Sequence, residues 1–152
     1  MIDLSAANHT NRELELMLAG VKPLAMFHDE KSVLPHEEII PEGKFAPYVD
    51  HGLFVRGEET YTGEFHPGLN RNVQIKYVFF ALAREAWRIP AISLLLRVRY
   101  LMNSWQSEEV ERMESFLLGY TAEEIDAWCN HRFPRLSGCS IEAAPCDAQD
   151  KG

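Results

Sequence analysis

The sequence is poor in the features that announce a function. Its 152 residues include three cysteines, Cys129, Cys139 and Cys146. An odd number crowded at one end does not make a disulfide framework, and the spacing matches no zinc template, so a reducing compartment is expected. No apolar stretch, residues 89 to 96 included, comes near the ~18 to 20 residues that span a bilayer, which excludes a transmembrane helix. The opening MIDLSAANHT lacks the basic and apolar regions of a secretory signal, so the expected location is the cytoplasm. The glycines scatter to turns and helix ends without forming a phosphate-binding motif, and neither HExxH nor a nucleophile elbow occurs. Basic residues are the minority, 15 against 23 acids, and the net charge of -8 disfavours direct electrostatic binding of nucleic acid. No cofactor and no metal are expected, and no membrane partner.

What remains is 46% hydrophobic and 11% aromatic, which at this length allows burial of roughly 70% of the unfolded surface without disulfide or metal support. The pattern reads as an α+β fold. A single domain over residues 1–133 is expected to pack a small, mostly antiparallel sheet against a C-terminal layer of three helices, with a short N-terminal helix. Residues 134–152, rich in Pro, Ser, Gly, Ala and acid, read as a disordered acidic tail.

Local chemistry places the elements. Thr10 and Glu13 have capping-box spacing before Leu14, Met17 and Leu18, and Gly20 closes a helix over about 11–19. Pro23 to Phe27 is a short apolar strand. Residues 28–43, with two prolines and six charges, read as a loop, followed by a helical turn from Phe45 to Asp50 stopped by Gly52. Leu53–Val55 and Thr60–Thr62 flank Arg56-Gly-Glu-Glu59 as a hairpin with a four-residue connection, and His66 to Arg71 is a further turn. Asn72 to Leu82 fits either a strand or a helical stripe; its β-branched and aromatic density favours a strand. A helix then starts near Trp87 to Ile89, with Pro90 in its first turn, and runs to about Ser104. Ser107 caps a helix that ends at Gly119, and the box Thr121 to Glu124 opens the last one.

Charge is laid out unevenly. Residues 28–64 hold nine acids and three bases, 65–104 six bases and one acid, and 105–132 seven acids and two bases. The basic block is Arg71, Lys76, Arg84, Arg88, Arg97 and Arg99. Within it Arg84, Glu85 and Arg88 beside Trp87 could hold a carboxylate or phosphate bidentately. The competing reading is internal: Glu85 with Arg88 as an i, i+3 pair, and Glu108, Glu109, Glu111 and Glu114 against Arg97 and Arg99. His51 and His66 could act as bases, but no nucleophile accompanies them. Cys129 reads as a buried hydrophobe, and a redox pair of Cys139 with Cys146 has little behind it.

Two functions fit. In the first, an acidic cytosolic protein binds and regulates a macromolecule with a basic surface, as inhibitors, antitoxins and immunity proteins do, using Glu37, Glu38, Glu58 and Glu59. In the second, a small enzyme or ligand-binding domain recognises an anionic molecule through Arg84 and Arg88. Phe54 and Tyr61, read as exposed on a hairpin edge, add the possibility of a homodimer.

Overall fold

Residues 72–82 form a strand, and that strand organises the molecule. The computed structural model describes residues 9–30, 36–64, 72–102 and 107–134. The turn from His66 to Arg71, Trp105, Cys139, Cys146 and the tail from residue 135 lie outside the described residues. In chain order the elements are α1 (Glu13–Leu18), β1 (Leu24–Asp29), α2 (His36–Ile39), α3 (Glu42–Asp50), β2 (Phe54–Glu64), β3 (Asn72–Leu82), a 3₁₀ turn (Ala83–Glu85), α4 (Arg88–Met102), α5 (Glu108–Leu118) and α6 (Ala122–Arg132). The fold is α+β, with an antiparallel sheet ordered β1-β3-β2.

Side chains alternate across β3, so its two faces build two cores. Ile75, Tyr77, Phe79 and Ala81 join Leu24 of β1 and pack under Ile92, Leu95 and Leu96 of α4 and Leu117 of α5. Val78 and Phe80 join Ala25 and Phe54 on the other face, under Met17 of α1, Ile40 and Phe45 of α3. The expected C-terminal helical layer covers one face of the sheet, and helices cover the other face as well. The second cover comes from residues 36–50, read from the sequence largely as loop. There α2 is a four-residue helix, and α3 begins three residues before Phe45, behind Pro41, whose fixed φ suits a helix entrance. The Glu37 carboxylate accepts from the Gly43 N–H at 2.8 Å, capping one of the orphan donors of α3.

The hairpin is also corrected. Arg56 to Glu59 is not a turn but the middle of β2, an 11-residue strand that pairs with β3 from Phe54 opposite Leu82 to Glu64 opposite Asn72. Phe54 is 3% exposed and Tyr61 is half-buried, so neither offers the exposed edge read for self-association. Gly57 explains why a glycine interrupts the strand. A Cβ there would stand 2.6 Å from Ile89 Cγ2, so the first turn of α4 rests almost directly on the β2 backbone.

The N-terminal capping box is not made. The helix starts at Glu13, Arg12 occupies the N-cap position, and Glu13 Oε1 accepts from the Asn11 N–H at 3.2 Å, with Asn11 itself at φ +64. The later caps form as read. Ser107 accepts from the Val110 N–H, Thr121 and Glu124 close a reciprocal box, and Gly119 ends α5 at φ +88. Gly119 also has Pro23 against it: a Cβ would fall 2.1 Å from Pro23 Cδ, which brings the end of α5 onto the start of β1. Among the described residues no helix is long and apolar enough to cross a membrane.

Candidate functional site

The strand-to-helix junction holds Arg84, Glu85 and Arg88, with the Arg84 guanidinium beside Gly20 and Arg88 committed to partners within the chain. Arg88 Nε donates to Glu85 Oε2 at 2.8 Å, the i, i+3 pair expected from the sequence. Its Nη1 reaches the carbonyls of Phe116 and Leu117 at 3.0 and 3.2 Å, and its guanidinium lies over the Trp87 and Phe116 rings. Glu85 also accepts from Trp87 Nε1, and these donors hold its carboxyl below the usual carboxylate range, Arg88 foremost. Arg88 thus serves the negative end of α5. Arg84 is exposed and forms no ion pair among the described residues.

Among the described residues the rest of the basic block is absorbed by acids, in part in the expected pairs. Arg99, 8% exposed, bridges Glu111 at 3.2 Å and Glu114 at 2.8 Å, as read. Burial pushes the Glu114 carboxyl up despite Arg99 beside it. Arg97 turns instead to Glu59 of β2 at 2.6 Å, and Lys76 stands 3.5 Å from Glu58 and 3.9 Å from Glu42. Arg56 bridges Glu42 and Glu58, both at 2.7 Å, and Arg56 is the first cause of the lowered Glu42 carboxyl.

The four acids singled out for partner binding are not one patch. Glu58 and Glu59 are adjacent in a strand and so point to opposite faces, one towards α3 and one towards α4, each inside an intramolecular ion pair. Glu37 and Glu38 stand together on α2, both exposed, and Glu38 makes no hydrogen bond or ion pair among the described residues.

One cluster had no forecast. Lys22, 3% exposed, donates to the Leu118 carbonyl at 3.2 Å, lies 3.4 Å from His9 Nδ1 and sits over the Tyr120 ring. His9 stacks on that same ring, with centroids 4.5 Å apart. Burial lowers the Lys22 ammonium to about 8, partly offset by Glu13 and Glu124, and burial with Lys22 nearby lowers His9. Arg88 and Lys22 together therefore occupy three successive carbonyls at the end of α5, from two separate elements. The only trace in the sequence is a lysine wedged between Gly20 and the apolar run from Pro23. An amine closed from solvent and bonded to a helix end ties β1 to α5; it is not presented to a substrate.

Several other titratable groups are similarly occupied. His51 Nδ1 is 2.5 Å from the Pro47 carbonyl, and His36 bridges Glu42 at 3.1 Å. Tyr77 and Tyr100 share a 2.6 Å hydroxyl contact, Tyr61 stacks on Tyr100, and burial pushes the Tyr61 phenol up to about 12. Cys129 is fully buried, as read, with its thiol pushed up by that burial. Comparison with family models, curated proteins and solved structures finds no match to this chain.

Proposed function

We propose that the protein acts by binding: it engages and regulates a macromolecular partner with a basic surface, in the manner of an inhibitor, an antitoxin or an immunity protein, in the cytoplasm. The observation that carries this reading is the charge left over after folding. Arg56, Lys76, Arg88, Arg97, Arg99 and Arg112 each lie in an ion pair within the chain. The excess acid is left outside, and residues 28–50 carry six acids and two lysines, with Glu37 and Glu38 exposed on α2. Such a face steers a basic partner and speeds encounter more than it tightens the final complex.

The variant to test it is Glu37→Gln with Glu38→Lys, which keeps an acceptor for Gly43. With a stoichiometric partner recovered from native lysate, we expect association to slow by about tenfold at low salt and the difference to shrink as salt rises. Unchanged association, or no stoichiometric partner, overturns the reading. The anion-binding alternative has weaker support, because Arg88 already serves Glu85 and α5 and only Arg84 remains open. An anion-dependent thermal shift abolished by Arg84→Ala would restore it.

A further inference from the structure

Helix α4 is apolar on two sides. Its inner stripe, Ile92, Leu95 and Leu96, is buried against the sheet and α5. A second stripe runs through Trp87, just ahead of the helix, then Ala91, Leu94, Val98 and Leu101, spaced four, three, four and three residues apart. That is the spacing of a heptad seam, the pattern with which one helix buries itself against another. Its large side chains stay open, Trp87 at 51% exposed, Leu94 at 64% and Leu101 at 85%, while the smaller Ala91 and Val98 between them are half-buried. Met102 at the end of α4 and Met113 and Phe116 on α5 extend the apolar surface, at 73%, 56% and 57%. Helix α5 runs antiparallel to α4, since Arg88 reaches the carbonyls of Phe116 and Leu117 while Arg99 meets Glu111 and Glu114.

With about 200 Å² for each fully exposed large side chain, these six leave on the order of 800 Å² of apolar surface open to water. A typical monomer's largest patch is about 300–600 Å², whereas one side of a standard interface is about 800 Å². The stripe is also self-complementary. Trp87 and Leu101 each lie seven residues from Leu94, so two copies laid antiparallel place Leu94 on Leu94 and Trp87 on Leu101. Charges at the ends agree with that alignment. Arg84, exposed and without an ion pair among the described residues, precedes Trp87; Glu109, exposed, accepting from the Ser107 hydroxyl and without an ion pair among the described residues, stands at the start of α5, beyond the Leu101 end.

We propose that this face is a dimer interface whose occupant is a second copy of the chain, joined about a two-fold axis through Leu94, with Arg84 of each copy facing Glu109 of the other. The interface does not involve Phe54 or Tyr61 and is independent of the acidic face on α2. The experiment is light scattering and sedimentation velocity of the full chain over a wide concentration range, with the mass expected at twice the 17.4 kDa of one chain. Leu94→Arg sets two like charges on the axis, and it should weaken association by more than about a hundredfold while leaving the monomer's unfolding transition in place. Arg84→Glu and Glu109→Arg should each weaken the dimer, and the double variant should recover most of the loss. A wild-type chain that stays monomeric at every concentration overturns the proposal, as does a dimer indifferent to Leu94→Arg or a charge swap without recovery.

Discussion

On the face of the sheet beneath α1, α2 and α3 the fully buried rings are all phenylalanines, without polar atoms. Phe45 stacks on Phe80 with centroids 4.3 Å apart, Phe27 meets both edge-on, and Met17, Ile40 and Val78 close the gaps. On the face beneath α4 and α5 the rings carry hydroxyls, Tyr77 and Tyr100 among them. Charged groups come inside at its margins: Arg99 with Glu114, and Lys22 at the end of α5. Both faces are closed to water, by different means. The first relies on apolar area alone, so its stability does not follow pH. The second holds ionisable groups whose solvation has been replaced by carbonyls and counter-charges, so its stability does.

The sharpest way to break that contrast is Phe45→Ala. The side chain is 1% exposed, and its removal should cost about 4 kcal/mol in denaturant unfolding. Because the cluster around it holds no charged residue, the cost should be the same at neutral and alkaline pH. A strongly pH-dependent cost would erase the distinction between the faces.

Next in size is Lys22→Met. An unfolded lysine keeps its proton up to 10.5, whereas the folded one releases it from about 8. Between those values the unfolded chain binds more protons, so the stability of the wild type relative to the variant rises with pH, by about 3 kcal/mol at most. Unfolding free energies of both proteins at neutral and alkaline pH measure this directly. A difference that stays flat would mean that the ammonium is as well solvated inside as out.

The smallest effect belongs to the outside of the dry face, where Arg56 bridges Glu42. Glu42→Gln should cost about 1 kcal/mol or less, as partly exposed pairs do. Its sign with pH is the same as that of Lys22, in a lower window: the fold depresses both groups, so the stability difference rises with pH in each case. The Glu42 carboxyl is held low in the fold, so its contribution is complete above the ordinary carboxylate value and disappears as pH falls through the folded one. Acid titration of the stability difference between the two proteins checks it.

Much of the C-terminal half was legible because its signals are local. The β-branched and aromatic density of 72–82, Pro90 in a first turn, the caps at Ser107 and Thr121 and the left-handed Gly119 act over a few residues, and each is where its chemistry puts it. The misreadings fall where neighbours outweigh local preference. Arg56-Gly-Glu-Glu59 has the composition of a turn, yet the β3 ladder draws it into a strand and Ile89 uses the missing Cβ of Gly57. The four residues of α2 are too few to hold a helix by themselves; Ile39 and Ile40 are held by the core beneath, and Glu37 reaches forward to α3.

The candidate sites divide in the same way. The Glu85 and Arg88 pair could be read because it spans a single turn. That Arg88 also serves the end of α5 could not, since the carbonyls lie 28 and 29 residues away. Nor could the separation of Glu58 from Glu59, which depends on the strand that the turn-like composition concealed.

By itself, the sequence determined the α+β class, the central strand, the caps of the last two helices, and a succession of acidic, basic and acidic segments, because propensity, capping and charge count are local properties. Tertiary structure alone decided that helices cover both faces of the sheet, that Lys22 is buried, which acids neutralise the basic block, and which apolar stripe of α4 stays open. Those outcomes depend on which surfaces meet, and residues far apart in the chain acquire that relation only when the sheet is built.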